Sequence, residues 1–215
     1  MRNHFDNQLA RLNREMTRMG GLCEEIIELV AKALTGWEDD LINRVTVLGA
    51  EIDEAEKTIE GLCLKLLLQQ QPVARDLRVI SAAMKMITDM ERIGDQAEDI
   101  AEIITFLDGR IAQESVQIRG MAEAAMRMMR EAVDAYVKQD VELAHAVMRH
   151  DDIVDDYFAK VKKGIIGIIA RNPDDGEYAL DLLMIAKYCE RIGDHCTNIA
   201  EWVEFSVTGC HKDCQ

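Results

Sequence analysis

The fold is decided by a stretch in the middle of the chain, ISAAMKMITDMERIGDQAEDIAEII, which spans residues 80–104. Small or apolar residues recur in it at alternating spacings of three and four, as in a helix that packs within a bundle. They are Ile80, Ala83, Ile87, Met90, Gly94, Ala97, Ala101 and Ile104. The same stripe returns near the end of the chain as Ala179, Leu182, Ala186, Cys189, Gly193, Cys196, Ala200 and Val203. The chain is therefore predicted to contain two copies of one helical unit.

Few helix breakers interrupt the 215 residues, which include only 2 prolines, 5% aromatic residues and 48% hydrophobic residues. This composition favours helix throughout and no sheet. The helices are predicted at residues 5–35, 39–70, 73–107, 113–138, 140–171 and 176–208, with a weak point or bend at Gly20-Gly21. The predicted fold class is all-α, with two tandem antiparallel three-helix bundles. We assign residues 1–109 to the first repeat, 110–209 to the second and 210–215 to a cysteine-containing tail.

The charge of the chain limits its partners. A formal net charge of -15 argues against binding to nucleic acid, and it disfavours docking on anionic lipid. No apolar run approaches the roughly 20 residues of a membrane span, and residues 1–9 do not resemble a secretory signal. We therefore expect a cytoplasmic protein without membrane insertion.

The 6 cysteines are expected to be thiols, because a reducing compartment disfavours disulfides. Four of them lie inside helical patterns, at Cys23, Cys63, Cys189 and Cys196. In the tail, Cys210 and Cys214 with His211 between them form a candidate clip for a soft metal ion. A solvated tail is the alternative.

The pentapeptide Glu-Arg-Ile-Gly-Asp occurs twice, at residues 91–95 and 190–194. Residues four apart lie on one face of a helix, so each copy places two carboxylates side by side. Two like charges at this spacing cost roughly 0.2–0.5 kcal/mol unless something offsets them. A bound cation would do so.

Hairpin geometry gives each acidic pair a counterpart. If two helices turn at Pro72, residues equidistant from the turn lie opposite each other, which sets Asp53 against Glu91. A turn at Asn172-Pro173 likewise sets Asp155 against Glu190, and Asp151 lies one turn before Asp155. Carboxylates from facing helices are the usual way in which bundles hold divalent or ferric ions. The predicted metal ligands are Asp53, Glu91, Asp95, Asp151, Asp155, Glu190 and Asp194, and a solvated acidic face is the alternative.

The first site is predicted to be less complete than the second. Gly49 occupies the position that corresponds to Asp151, so Asp53 is the one predicted ligand that faces Glu91 and Asp95 across the hairpin. We expect the two sites to differ in nuclearity or affinity.

Two stretches make the chain resemble a known family. The segments at residues 70–78, QQPVARDLR, and 89–95, DMERIGD, together with the second pentapeptide, are similar to the PhoU family of phosphate-specific transport regulators. The resemblance covers nearly the whole chain, including Met19-Gly20-Gly21 in the first helix. It implies metal clusters, with iron favoured, held by paired acids on two helices of each bundle. Gly49 departs from that pattern.

The resemblance also implies partners and a role. Family members restrain phosphate uptake through the ATPase subunit of the ABC phosphate transporter, and many hold the phosphate-responsive sensor histidine kinase inactive. They commonly form homodimers. The chain is accordingly predicted to be a regulator and not an enzyme, because it shows no nucleophile beside a base and no nucleotide-binding glycine loop.

Two other functions stay open. The first is a helical-bundle di-iron oxidase or iron store, which would place a Glu-x-x-His motif on each of two facing helices. The chain does not contain that pair of motifs. The second is a plain helical scaffold whose acidic face is only solvated.

Overall fold

The computed structural model describes residues 2–34, 39–70, 72–107, 110 and 113–210, and this part of the chain contains helices and no strand. The helices are α1 (Arg2–Ala33), α2 (Asp39–Gln70), α3 (Ala74–Phe106), α4 (Gln113–Lys138), α5 (Val141–Arg171) and α6 (Gly176–Thr208). A single 3-10 turn, Pro173–Asp175, precedes α6. The predicted all-α class is confirmed, and the helix bounds differ from the prediction by a few residues.

Both predicted stripes form the core. Every stripe residue of α3 and of α6 is buried, as are the apolar positions of α2 at Ile52, Ala55, Ile59, Leu62 and Leu66. Helix α5 begins where the sequence supplies a cap, since the Asp140 side chain accepts a hydrogen bond from the Leu143 amide at 3.0 Å. The 3-10 turn is held by Asn172, whose side chain accepts a hydrogen bond from the Asp174 amide at 3.3 Å. Short-range signals thus account for these helix ends.

The six helices form two three-helix bundles that share a wide interface. Helices α1, α2 and α3 pack together, as do α4, α5 and α6. Between the bundles, α3 packs on α6 and α1 packs on α4, so α2 and α5 lie on the outside. The partners along α3 and α6 run in opposite directions, because Lys85 lies over the ring of Trp202 and Asp89 contacts Asn198.

The glycine pair in α1 does not end or break that helix. A Cβ at Gly20 would come within 2.6 Å of a Val133 methyl group on α4, whereas one at Gly21 would meet nothing within 4 Å. Gly20 therefore allows the close approach of α1 to α4, and that contact compensates for the low helix propensity of glycine.

Part of the connection between the bundles is tied to the start of α6. The Arg110 guanidinium lies 2.7 Å from an Asp175 carboxylate oxygen and 4.0 Å above the Tyr178 ring. The proposed domain boundary near residue 109 stays a prediction.

The four cysteines predicted inside helices are buried free thiols. Burial raises the pKa of Cys63 and Cys189 to about 12, so both stay protonated at neutral pH. Cys210 is exposed, and the predicted clip cannot be assessed because His211 and Cys214 lie outside the described residues. Within the described ranges, none of the helices is long and apolar enough to cross a bilayer.

Candidate metal centre

The second acidic cluster forms beside Gly193, where α5 packs closely on α6. A Cβ at Gly193 would lie 3.2 Å from a carboxylate oxygen of Asp151 and 3.4 Å from a Val154 methyl group. The glycine therefore lets α5 come near and leaves room for the Asp151 carboxylate above α6. Gly193 therefore contributes both to the packing of α5 on α6 and to the space for the acidic cluster.

The charges in this cluster act on one another. Burial, followed by the charges of Asp155 and Asp194, raises the pKa of Asp151 to about 6, and Glu190 adds a smaller effect. Burial and the charge of Glu190 also raise the pKa of Asp194. These carboxyls are harder to ionise because they are partly buried and also lie near like charges. The structure thus brings together the four acids predicted for the second half.

A lysine offsets part of this repulsion. The Lys187 ammonium, one turn before Glu190 on α6, forms an ion pair with the Glu190 carboxylate. It also lies near the Phe158 ring of α5, 5.8 Å from the centroid. Neutralisation is incomplete, since the pKa of Asp151 remains raised.

The first cluster lies between α2 and α3. A Cβ at Gly94 would be 3.3 Å from the Ile52 side chain, which places Glu91 between Asp53 and Glu56. Burial and the charge of Asp95 raise the pKa of Glu91, and Glu56 contributes more than Asp53 does. Glu91 therefore has two acidic neighbours on α2, the predicted Asp53 and also Glu56, which was not among the predicted ligands. The counterpart of Glu56 in the second repeat is Phe158, so the repeat pattern gave no signal for it.

Glu98 supplies a carboxylate where the first repeat lacks an acid. A Cβ at Gly49 would lie 2.5 Å from the Glu98 carboxyl carbon, so the Glu98 side chain occupies the space that a side chain at position 49 would fill. Burial and the charges of Asp53 and Asp95 raise the pKa of Glu98. Gly49 supplies no acid from α2, and at that point the carboxylate comes from Glu98 of α3. The predicted difference between the two sites in nuclearity or affinity stays a prediction.

Arg92 is the counter-charge of the first cluster. Its guanidinium lies 3.4 Å from a Glu91 oxygen and 2.9 Å from an Asp95 oxygen. The side chain is about half exposed, so the pairing is screened by water. In each cluster, one of the acids therefore forms an ion pair with a cationic side chain of its own helix.

The clusters are not preformed chelates. Among the described residues, no three Asp, Glu, His or Cys side chains are placed as they would have to be to hold a metal ion. The donor chemistry nevertheless suits a hard cation, because all the clustered atoms are carboxylate oxygens from two adjacent helices. Ion binding would require rotation of exposed side chains such as Asp53 and Asp155.

A polar contact connects the two clusters across the α3–α6 interface. A carboxylate oxygen of Asp89, two residues before Glu91, lies 2.9 Å from Nδ1 of His195. The same oxygen accepts a hydrogen bond from the side-chain amide of Asn198 at 3.1 Å. His195 directly follows Asp194. The sequence does not predict this contact, because neither repeat specifies how the two bundles are placed relative to each other.

The remaining histidines near the second cluster have other partners. Nδ1 of His150 lies 2.8 Å from Glu131 on α4, and Nε2 of His145 lies 3.2 Å from Glu204. The chain does carry one Glu-x-x-His motif, at Glu142 and His145, but not the pair that a di-iron bundle requires.

Comparison with known proteins places this arrangement in a family. The PhoU domain model matches residues 16–104 and again residues 118–203. The chain belongs to the PhoU family. The two matches each contain one copy of the pentapeptide and one acidic cluster, so PhoU repeats and clusters coincide.

Relatives of known sequence support the assignment over nearly the full length. A Clostridium acetobutylicum protein, the phosphate-specific transport system accessory protein PhoU homolog, is 33% identical over 97% of this chain and 96% of its own length. A Synechocystis PhoU homolog with the same description is also 33% identical, over 97% of this chain and 93% of its own length.

Solved structures agree with the fold. The crystal structure of PhoU from Pseudomonas aeruginosa is 30% identical, covers 96% of this chain and 100% of its own, and superposes with a TM-score of 0.90. The phosphate transport system regulatory protein PhoU from Streptococcus pneumoniae is 25% identical, covers 96% and 98% of the two chains, and gives a TM-score of 0.86.

Proposed function

We propose that this protein is a metal-binding regulator of phosphate homeostasis that acts in the cytoplasm. It would restrain phosphate uptake by contacting the ATPase subunit of the ABC phosphate transporter, and restrain phosphate-starvation signalling by contacting the sensor histidine kinase. It would do so as a binding protein and not as an enzyme.

The observation that carries this proposal is the match along nearly the whole chain. Relatives 33% identical over 97% of the chain are described as accessory proteins of the phosphate-specific transport system. A structural neighbour is described as a regulatory protein of phosphate transport. A family member that keeps both repeats is expected to keep the regulatory role.

The metal part of the proposal rests on the two acidic clusters. In the second half, Asp151, Asp155, Glu190 and Asp194 would hold a divalent or ferric ion, including as a multinuclear iron cluster. In the first half, Asp53, Glu91 and Asp95 would do so with Glu56 and Glu98. A bound cation would neutralise like charges that now raise the pKa of several of these carboxyls. It would thereby hold each outer helix to its neighbour.

Gene deletion tests the regulatory role. Loss of the protein is expected to raise transcription of the phosphate-uptake genes in phosphate-rich medium, because the restraint on signalling is gone. Re-expression of the full chain should restore repression. Unchanged transcription in the deletion strain would contradict the proposal.

Direct binding tests the partners. Purified protein should retain the transporter's ATPase subunit and the cytoplasmic part of the sensor kinase in a pull-down, and an unrelated ABC ATPase serves as the control. Equal retention of the specific and unrelated ATPases would contradict a role at this transporter.

A further inference from the structure

The hairpin of α2 and α3 ends in a group of exposed apolar side chains, which we call the α2–α3 tip. Leu68 is 83% and Leu64 44% exposed on α2, and Val73 is 68% and Leu77 47% exposed at the start of α3. Leu68 and Leu77 are nearly equidistant from the turn at Pro72, so they lie at the same height on adjacent antiparallel helices. Large apolar side chains that gather in one part of a surface mark an interaction site more often than scattered ones do.

This end of the hairpin is basic although the chain as a whole is acidic. Residues 61–88 contain four cationic side chains and one acid, Asp76, whereas the formal net charge of the chain is -15. Asp76 lies in the first turn of α3, where a carboxylate offsets the partial positive charge of the helix N-terminus. The apolar side chains of the tip therefore lie in a locally positive part of the molecule.

The exposed cations beside the tip have no carboxylate partner. Lys65 is exposed on α2 and Arg75 is exposed on α3. Arg75 donates a hydrogen bond to the side-chain oxygen of Gln139 at 2.9 Å, which positions the guanidinium without neutralising its charge. Within the described residues neither Lys65 nor Arg75 forms an ion pair, whereas other arginines of the chain do so, as at Arg92 and Arg119.

The charges disfavour a second copy of this surface as its occupant. Cations lie on both helices of the hairpin, so two copies would bring like charges together. The corresponding end of the second repeat, residues 163–187, carries three cations and four acids. Its exposed Ile166 and Leu180 therefore do not lie in a positive region, and the first hairpin alone combines exposed leucines with unpaired cations.

A partner protein suits the tip better than a lipid bilayer does. Segments that bind anionic lipid usually cluster roughly four to eight Lys or Arg residues. Here two exposed cations border the apolar side chains, and the acids of the first cluster lie on the same hairpin. An anionic bilayer would repel those acids, whereas a smaller partner can contact the tip alone.

A helix is the element that this surface can accept. In each half of the molecule a third helix packs against a pair of antiparallel helices, and the tip presents exposed apolar side chains on such a pair. Apolar residues of an added helix would contact Leu68 and Leu77, and acids beside them would meet Lys65 and Arg75. We propose that the α2–α3 tip is a docking site for an acidic amphipathic helix of another protein. The proposal does not depend on the role in phosphate regulation, which gene deletion tests separately.

Synthetic helices test the site. One peptide of about 18 residues has leucines on one face and glutamates beside them, and its counterpart has glutamines in place of the glutamates. In fluorescence anisotropy, the full-length protein should bind the glutamate peptide at least about tenfold more tightly than the glutamine peptide, despite its own net negative charge. The variant K65E/R75E should lose this preference. The variant L68E/L77E should bind the glutamate peptide at least about 30-fold more weakly than the unmodified protein.

A matched change at the other hairpin is the control. The variant I166E/L180E replaces exposed apolar residues of the second repeat and should bind the glutamate peptide as the unmodified protein does. Far-UV circular dichroism checks that each variant is folded, and sedimentation with phosphatidylglycerol vesicles tests for a membrane contact. The proposal would be overturned by failure to bind the glutamate peptide, by equal binding of the two peptides, or by binding that L68E/L77E leaves intact. Vesicle binding that L68E/L77E abolishes would also overturn it.

Discussion

The glycines in the helices differ in whether a neighbouring side chain lies close to them. Gly20 lies against a branched valine on α4, Gly49 lies under the Glu98 carboxylate and Gly193 lies under Asp151. In contrast, Gly21 and Gly61 face open space. The first group is required by close contacts, and the second only lowers helix stability.

The adjacent pair in α1 provides a direct test of this distinction. Gly20→Ala should destabilise the protein by about 1–3 kcal/mol, because the added methyl would overlap the stiff Val133 side chain. Gly21→Ala should stabilise it by up to about 1 kcal/mol through helix propensity. Urea unfolding measures both, and equal effects of the two substitutions would contradict the assigned contact.

Asp151 gives a prediction about pH. Its pKa is raised from 3.8 to about 6 in the folded chain, so the fold favours the protonated form. The contribution of this carboxyl to the free energy of unfolding is fully present below pH 3.8 and is lost as the pH rises through about 6. In metal-free protein at pH 7.5, Asp151→Asn should therefore raise stability, by roughly 1 kcal/mol once solvent screening is considered.

The comparison at pH 4.5 is the internal check on Asp151. The gain from Asp151→Asn should shrink there, because the natural carboxyl is then largely protonated. Asp156→Asn, an exposed acid of the same helix, should change little at either pH. A gain that does not depend on pH would show that the ionisation of Asp151 is not its cause.

At the scale of helices, the start of α5 depends on a single cap. The Asp140 side chain accepts the Leu143 amide hydrogen bond, directly after Gln139 in the left-handed region at φ 54°. Asp140→Ala should cost about 1 kcal/mol in thermal or urea unfolding, because the amide loses its acceptor. Asp140→Asn, which keeps an acceptor oxygen, should cost far less, and an equal loss in both variants would argue against capping.

The helices were predictable because their signals are local. The stripe spacing and the few glycines and prolines lie within a few residues of the structure they specify. The pairing of α5 with α6 follows from the turn at Pro173, which fixes which residues lie opposite each other. The charges of Asp194 and Glu190 on α6 act on Asp151 of α5.

The rest of the site depends on the relative positions of side chains on different helices, which the sequence does not show. Glu56 lies near enough to Glu91 to raise its pKa, and the Glu98 carboxylate lies over Gly49. The contact of Asp89 with His195 requires the relative position of the two bundles. Since no turn connects α3 directly to α6, no simple symmetry of the sequence predicts that position.

The whole molecule is a duplicated bundle with a shared interior. Helices α3 and α6 pack along their lengths, and α1 and α4 do the same on the other side of the interface. Buried side chains from both repeats form a single apolar cluster that includes Cys23 of the first and Cys196 of the second. The repeats therefore stabilise each other.

This shared interior predicts cooperative unfolding. The chain should unfold in one thermal transition with equal calorimetric and van't Hoff enthalpies, because neither repeat keeps its full core alone. Differential scanning calorimetry of chelator-treated protein measures both enthalpies. Two separate transitions would mean that each bundle is stable by itself.

The central claim is that the repeated pentapeptide and its facing acids form two metal centres, one in each repeat. Elemental analysis of full-length protein purified without chelators, beside the variant E190Q/D194N and the variant E91Q/D95N, tests it most directly. We expect a bound divalent or ferric metal in the unmodified protein and a partial loss of metal in each variant, because the cluster that is left intact keeps its metal. Negligible metal in the unmodified protein, or the same metal content in all three proteins, would contradict it.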